Sequence, residues 1–261
     1  MKHFEITPQH EFTNTVDFKQ QCLAAFREQL ACRAYPGYPS FRDRFFVDRD
    51  DFAMEPVHLP DGPWETSNGA LPSIREQQAL AQVVSRFDRW GRPLHPWFDQ
   101  MAEDPVIGVV TGKGFYWNWG PNYTADAVVL RHDLDEPHVL LIQRADTGQW
   151  ALPGGFIDPG EDALTASVRE AHEEALIDLR QSQQSSVLTY SGPLADLRTT
   201  ANAWPETTVF RFDLPTEMAQ RLPLQYTGSL ESPIVSWMPV RLVDDHLFGS
   251  HRQLLSTALV A

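Results

Sequence analysis

The chain has 261 residues, 42% of them hydrophobic, which is the composition of a globular protein with a substantial core. Its net charge of −14 argues against nucleic acid or an anionic membrane as a main partner, because affinity for such surfaces depends on clusters of Lys and Arg. There is no long apolar run and no signal-peptide pattern, and the two cysteines, Cys22 and Cys32, form neither a zinc motif nor a disulfide framework. We therefore expect a soluble cytoplasmic protein.

The first hundred residues predict two helices. Apolar residues at helical spacing predict a helix over residues 14–33, and a long stretch rich in Asp, Pro and aromatic residues follows it to Pro72. The residues Ser73 to Glu76 form a capping-box pattern, which predicts a second helix that continues to about Gly91. Residues 1–105 are therefore predicted to form a partly helical N-terminal extension or cap.

From Val106 onward the chain consists of short apolar runs separated by turns. These runs predict strands at residues 106–110, 125–132, 139–144, 150–155, 187–192, 207–214 and 235–240. A final helix is expected from about His251 to Val260. Because helices and strands alternate, residues 106–261 are predicted to form an α/β domain, an α/β/α sandwich with a mixed sheet.

The stretch from Gly155 to Ile177 carries the most distinctive chemistry. A turn precedes it, and a helix is predicted to begin near Glu161 or Asp162. Three glutamates lie on one face of that helix, at positions i, i+3 and i+4: Glu170, Glu173 and Glu174. Carboxylates in this arrangement suit a hard divalent cation such as Mg²⁺, although the bare spacing taken alone favours an acidic helix face in solvent, since such runs are common on surfaces.

The wider pattern resembles the Nudix hydrolase box, G-x5-E-x7-R-E-U-x-E-E-x-G-U, where U is a bulky apolar residue. Seven positions are in register: Gly155, Glu161, Arg169, Glu170, Glu173, Glu174 and Ile177. Two positions depart from the box, since Ala171 is small and Leu176 replaces a glycine, and we expect the helix to continue past Leu176. The resemblance implies a loop-helix-loop beside the sheet. It also implies a Mg²⁺ site, with Mn²⁺ as a substitute, made by Gly155, Glu170, Glu173 and Glu174.

Further segments look like those of the mitochondrial-type ADP-ribose pyrophosphatases and of the related ADP-ribose-sensing domain of a melastatin-type channel. They are residues 119–122, 125–126, 196–198, 202–204 and 206–207. This similarity implies metal-dependent hydrolysis of ADP-ribose to AMP and ribose 5-phosphate by a monomer or homodimer. Glu174 is the expected general base, with Glu217 and Glu231 as alternatives, and Arg169, Glu170 and Glu173 complete the predicted catalytic set.

The substrate contacts are predicted mainly from the same similarity. Arg198 is expected at a phosphate or the terminal ribose, because a guanidinium can bridge two oxygens in one plane. The expected ribose contacts are Asp126, Asp196 and Asn202, and the expected adenine contacts are Phe248 and His251. For Arg144 a substrate contact and a surface ion pair are both open, and Trp204 is more often a core residue than a stacking platform.

Other functions stay open at this point. The same box serves hydrolases of NADH, ADP-sugars or dinucleoside polyphosphates, and a sensor would bind ADP-ribose without turnover. A Nudix-based transcriptional regulator conflicts with the acidic charge. The box retains every charged residue, which favours an enzyme.

Overall fold

The computed structural model describes residues 15–32, 71–104, 106–109, 111–114, 116–194, 197–243 and 247–261. One predicted ribose contact, Asp196, lies outside these residues, and so does most of the stretch that precedes Pro72. Within the described part of the chain, no helix is long and apolar enough to cross a membrane.

Helices and strands alternate along the described residues. The α-helices are α1 (Thr15–Cys32), α2 (Ile74–Leu80), α3 (Phe98–Glu103), α4 (Ala163–Ala175), α5 (Thr216–Ala219) and α6 (His251–Val260). The strands are β1 (Gly120–Arg131), β2 (His138–Gln143), β3 (Trp150–Ala151), β4 (Gly154–Phe156), β5 (Val187–Pro193), β6 (Ala203–Asp213), β7 (Gln225–Tyr226) and β8 (Ile234–Pro239). Short 3-10 helices span Arg180–Ser185 and Val240–Leu242. The predicted helices 14–33 and 251–260 are confirmed.

The strands form one sheet in the order β5-β6-β1-β2-β8-β7, with β3 beside β2 and β4 beside β1. Strand β2 runs antiparallel to β8 over its whole length, from His138 opposite Pro239 to Gln143 opposite Ile234. A parallel bridge joins Trp150 and Leu247. The centres of β1 and β2 are almost entirely buried, as expected for strands covered on both faces. The predicted α/β class with a mixed sheet is confirmed.

Helix α4 begins where the sequence predicts. Asp162 caps it, because its carboxylate accepts a hydrogen bond from the amide of Thr165 at 2.9 Å. Its buried face consists of small or apolar residues, namely Ala166, Ser167, Val168, Ala171 and Ala175. The small side chain of Ala171, a departure from the box, therefore lies in the helix's packing face.

The expectation that this helix continues past Leu176 is wrong. The helix ends at Ala175, and Leu176 adopts the left-handed conformation with φ 55° and ψ 27°. The Leu176 amide donates to the carbonyl of His172 at 3.0 Å, which is the hydrogen bond of an αL helix cap. Two features of the tertiary structure end the helix here. The Ile177 side chain is buried in the core with 1% exposure, and the Tyr226 hydroxyl donates to the Ala175 carbonyl at 2.7 Å.

The described residues divide into two compact units. The first holds residues up to Gln21 together with Tyr123–Gly192 and Thr207–Ala261, and the second holds Cys22–Asn122 together with Pro193–Glu206. This division differs from the boundary between residues 105 and 106, and that domain boundary stays a prediction.

In the second unit, one predicted helix is shorter than expected and one predicted strand begins as a turn. The Ser73 capping box is present, but α2 ends at Leu80 instead of reaching Gly91. Asp88 forms a turn there, since it accepts hydrogen bonds from the amides of Trp90 and Arg92 and pairs with the buried Arg92 side chain at 2.6 Å. Beyond α3, residues 106–109 begin with a turn rather than a strand, because the Asp104 carboxylate accepts hydrogen bonds from the amides of residues 106 and 107.

Candidate active site

Arg169 is the central cation of the acidic face of α4. Its Nε and Nη2 donate to the two carboxylate oxygens of Glu161 at 3.0 and 2.9 Å. Its Nη1 donates to Glu170 at 2.7 Å and to Glu173 at 3.1 Å, and Nη2 also reaches the Phe156 carbonyl at 2.9 Å. The hydrogen bonds that Arg169 donates to Glu161 are the main reason that the pKa of Arg169 is raised. One guanidinium therefore offsets the repulsion among three carboxylates.

Glu170 lies between Arg169 and the glycine of the box. Burial raises the pKa of Glu170, although the neighbouring Arg169 acts in the opposite direction. A Cβ at position 155 would lie 2.5 Å from the Glu170 Oε1, so only glycine fits there without moving the carboxylate. The observed position of the Glu170 carboxylate therefore requires a glycine at residue 155.

Glu174 is the most deeply buried carboxylate of the three. Burial raises the pKa of Glu174 to about 7, in spite of the hydrogen bond from the Gly154 amide to Oε2 at 3.0 Å. Its other oxygen, Oε1, is 3.3 Å from the hydroxyl of Ser232. Glu173 differs from both neighbours, since its side chain is 56% exposed. The three glutamates thus occupy three different environments along one helix face.

The donor set fits a hard divalent cation in its chemistry, because carboxylates and the Gly155 carbonyl are oxygen ligands. Among the described residues, however, no three His, Cys, Asp or Glu side chains form a cluster that could hold a metal. The contacts above explain this, since Arg169 binds Glu170 and Glu173 while Glu174 is held by the Gly154 amide. The assignment of these ligands stays a prediction.

A second group of predicted residues lies within electrostatic reach of Glu174. Arg144 pairs with Asp146 through two hydrogen bonds of 2.9 and 2.6 Å, and its guanidinium carbon is 4.2 Å from the centre of the Phe248 ring. The Arg144 charge also acts on Glu174, where it favours the ionised carboxylate. Arg144 therefore makes the ion pair expected of a surface residue and also lies beside two predicted site residues.

The predicted adenine contacts, Phe248 and His251, both interact with other residues of the first unit. Phe248 is 2% exposed and meets the His251 imidazole edge-on, with ring centres 5.8 Å apart. The Nδ1 of His251 accepts a hydrogen bond from the Leu152 amide at 2.9 Å, so a neutral His251 carries its proton on Nε2. Their contact with an adenine stays a prediction.

Asp126 is buried beside the box. It lies opposite Gly154 in the β1–β4 ladder, it is 6% exposed, and one carboxylate oxygen accepts a hydrogen bond from the hydroxyl of Thr207. Its other oxygen contacts Gly154 so closely that a Cβ at that position would collide with it. Asp126 therefore supports the strand that carries Gly154, and a ribose contact stays a prediction.

Three residues singled out by the sequence belong to the second unit. Asn202 is fully buried, and its amide accepts from the Gly112 amide at 3.0 Å and donates to the Pro93 carbonyl at 2.9 Å, which favours a structural role. Trp204 is 1% exposed and donates to Glu206 at 2.9 Å, as expected of a core residue. The guanidinium carbon of Arg198 is 5.9 Å from the centre of the Tyr116 ring.

The alternative general bases are solvent-exposed. Glu217 lies in α5 and Glu231 in the loop between β7 and β8, where its main-chain carbonyl accepts from the Ala145 amide at 2.9 Å. Ser232, the next residue, contacts Glu174 and was not predicted from the sequence. No spacing signal points to it, because 58 residues separate it from Glu174.

The model of the family described as the NUDIX domain matches residues 121–257, slightly more than half of the chain. The chain belongs to the Nudix family. The match contains the entire box, and it confirms both the predicted family and the Nudix fold.

Individual Nudix relatives are similar to parts of this chain. A Caenorhabditis elegans protein named nudix hydrolase 6 is 33% identical over 60% of this chain and 64% of its own length. The mitochondrial ADP-ribose pyrophosphatase of Rattus norvegicus is 30% identical over 56% of this chain and 49% of that protein. The transient receptor potential cation channel subfamily M member-like 2 of Nematostella vectensis is 35% identical over 64% of this chain and 12% of the channel. The chain thus spans less than two thirds of each of these relatives.

Proposed function

We propose that this Nudix protein is a divalent-metal-dependent pyrophosphohydrolase that cleaves the diphosphate of ADP-ribose into AMP and ribose 5-phosphate. The observation that carries the proposal is the complete charged set on and beside α4. Glu170, Glu173 and Glu174 share one helix face, and Arg169 is oriented by Glu161 so that it reaches the first two.

The metal is part of this proposal. Nudix hydrolases generally use divalent cations such as Mg²⁺ or Mn²⁺. Glu170, Glu173, Glu174 and the Gly155 carbonyl would hold the ion, which neutralises diphosphate charge and lowers the pKa of the attacking water. Since Arg169 binds two of these carboxylates, we expect it to stay on Glu161 and release Glu173, the more exposed partner, when the cation binds.

The predicted site residues have complementary tasks in this scheme. Glu174 accepts the proton of the attacking water, because it is the carboxylate that the Gly154 amide and the Ser232 hydroxyl hold in place. Arg144 is fixed by Asp146 and attracts a phosphate oxygen. Phe248 is the proposed stacking partner of the adenine, and stacking requires that its buried ring become exposed. Arg198 binds a phosphate or the terminal ribose.

ADP-ribose is favoured over other nucleoside diphosphate derivatives by the rat relative, which is described as an ADP-ribose pyrophosphatase. The oligomeric state of the present protein, its cytoplasmic location and the exclusion of nucleic acid remain predictions. The rat relative is described as mitochondrial rather than cytoplasmic. The resemblance to the ADP-ribose-sensing domain of a melastatin-type channel makes an ADP-ribose sensor the alternative, and one of the relatives is described as a channel of this kind. A sensor has no need for an intact catalytic set, and here all five charged box residues are retained.

A product assay tests this proposal. Purified protein is incubated with Mg²⁺ and, separately, ADP-ribose, NADH, ADP-glucose and diadenosine polyphosphates, with EDTA added in a parallel series. We expect AMP and ribose 5-phosphate from ADP-ribose, no product with EDTA, and much slower turnover of the other compounds.

A matched pair of variants shows whether the box causes the turnover. Glu170→Gln removes a proposed ligand, whereas Asp178→Asn removes a carboxylate of an exposed ion pair with Arg180. Only the first should abolish turnover. Binding of ADP-ribose without any product would instead identify a sensor, and faster turnover of another compound would overturn the proposed substrate.

A further inference from the structure

The loop from Gly228 to Ser232, between β7 and β8, contacts Glu174 at both its main chain and its side chain. The Ser229 amide donates to the Glu174 carbonyl oxygen at 3.3 Å, and the Ser232 hydroxyl is 3.3 Å from Oε1 of the same residue. Gly228 approaches so closely that a Cβ there would lie 2.6 Å from the Glu174 carbonyl oxygen. The loop is therefore docked on this one glutamate.

The loop is itself anchored, so the Ser232 hydroxyl has a defined position. The Ser232 side chain is fully buried, and its amide donates to the hydroxyl of Ser229 at 3.2 Å. The Glu231 carbonyl accepts from the Ala145 amide, just beyond β2, and three residues further on Ile234 enters the β2–β8 ladder. Because these contacts hold the main chain on both sides of Ser232, its hydroxyl reaches Glu174 from an anchored loop.

A glutamate carboxylate rotates freely unless both of its oxygens are held, because the terminal χ3 torsion has no sharp preference. The Gly154 amide holds Oε2 of Glu174, and the Ser232 hydroxyl holds Oε1. With only the first bond, the carboxylate could turn about that contact. Together the two bonds fix the plane of the carboxylate.

We propose that Ser232 is a positioning residue that holds the Glu174 carboxylate in the orientation needed for metal binding and proton transfer. This inference rests on the proposed function, because Ser232 acts only through Glu174. The 3.3 Å separation is long for a hydroxyl donor, so we expect an effect of several-fold rather than complete loss of activity.

The test compares Ser232→Ala with Ser167→Ala. Ser167 is also fully buried, but its hydroxyl donates to the Leu164 carbonyl at 2.8 Å, within α4, and not to a carboxylate. For Ser232→Ala we expect kcat for ADP-ribose to fall about five- to tenfold, KM to stay within about twofold, and Mn²⁺ affinity measured by calorimetry to fall about threefold. Ser167→Ala should change none of these, and the two variants should have similar melting temperatures.

Unchanged kcat and unchanged Mn²⁺ affinity in Ser232→Ala would overturn the inference, and so would equal losses in both variants. A wild-type protein that turns over none of the diphosphates would overturn the proposed function instead. In that case the Mn²⁺ titration of Ser232→Ala still decides whether Ser232 positions Glu174.

Discussion

Arg169 and Glu161 form a two-point ion pair, with Nε 3.0 Å from one carboxylate oxygen and Nη2 2.9 Å from the other. Because two nitrogens of the planar guanidinium are fixed, the third points at Glu170, 2.7 Å away. Glu161 precedes the helix, yet it thereby controls the cation that organises the carboxylates on α4.

Replacement of Arg169 by Lys should therefore reduce turnover strongly although the positive charge is kept. A single ammonium cannot bind Glu161 at two points and also reach Glu170, so we expect kcat to fall at least about tenfold. The measurement is steady-state turnover of ADP-ribose at saturating Mg²⁺. Arg180→Lys is the control, since Arg180 is 78% exposed and pairs with Asp178 at the surface. Similar rates for both variants would show that the geometry of Arg169 is irrelevant to turnover.

Glu173→Gln should separate activity from stability. Glu173 is the exposed member of the three and its ion pair with Arg169 is partly solvated, so we expect a change in unfolding free energy below about 1 kcal/mol. Because Glu173 is a proposed metal ligand, its replacement by Gln should instead lower kcat by about a hundredfold or more and weaken Mn²⁺ binding. Asp135→Asn, at another exposed carboxylate, provides the comparison. A Glu173→Gln variant with wild-type turnover at saturating Mg²⁺ would remove Glu173 from the ligand set.

Leu176→Gly should stabilise the protein. A left-handed conformation costs a non-glycine residue about 1–2 kcal/mol, which exceeds the extra chain entropy of glycine, about 0.5–1 kcal/mol. We expect a gain of about 0.5–1 kcal/mol in unfolding free energy, measured by denaturant titration. Leu188→Gly is the opposite case, because Leu188 is another partly exposed leucine but lies in β5, where glycine should destabilise. A loss of stability in both variants would show that the helix cap carries no relievable strain.

Asn202→Ala should report a structural role. The substitution leaves the Gly112 amide and the Pro93 carbonyl without their partner in a fully buried site, which should cost about 2–4 kcal/mol. Calorimetric melting should show this loss, while KM for ADP-ribose of the folded fraction stays within about twofold of the wild type. Asn118→Ala, at an exposed amide, should change neither the melting temperature nor KM. A large rise in KM at unchanged stability would instead restore the predicted ribose contact.

Asp104 should make the second unit sensitive to acid. Burial alone would raise the pKa of Asp104, but the amides of Val106 and Ile107 and the side chain of Arg27 outweigh it, so the pKa lies below its ordinary value. Folding therefore favours the ionised carboxylate, and its stabilising contribution is complete above pH of about 4, the unfolded value, and is lost as the pH falls through the lower folded value.

We accordingly expect Asp104→Asn to be less stable than the wild type at pH 7, with a difference that shrinks as the pH is lowered below about 4. Urea unfolding across this range measures it. Asp99→Asn is the control, because Asp99 pairs with Arg86 at the exposed surface and contributes little. A difference that stays constant with pH would mean that the charge of Asp104 does not matter.

The box was predictable from the sequence because the spacing of its charged residues follows from the helical period. Glu170, Glu173 and Glu174 had to share a face once the helix began near Asp162. What the spacing could not show is the end of the helix. Leucine is a good helix former, so Leu176 suggested continuation, whereas the burial of Ile177 and the hydrogen bond from Tyr226 decide the end through tertiary contacts.

The other errors have the same origin. The predicted helix beyond Leu80 is replaced by a turn that depends on the buried Asp88–Arg92 pair, and the strand predicted at residue 106 is replaced by a turn at Asp104. Ser232 and Glu174 are far apart in the chain, and no local pattern relates them. Residues joined only by the tertiary fold can be found only once the sheet order and the loops are known.

The docking of residues 228–232 on Glu174 has a consequence for protein engineering. Exchange of this loop alone for that of a Nudix relative would place a foreign backbone against the Glu174 carbonyl and remove the hydroxyl from its carboxylate. A chimera that transfers the loop together with residues 170–177 would carry both halves of the contact. Loop and helix end therefore form one transferable module, although β5, β6 and β7 lie between them in the chain.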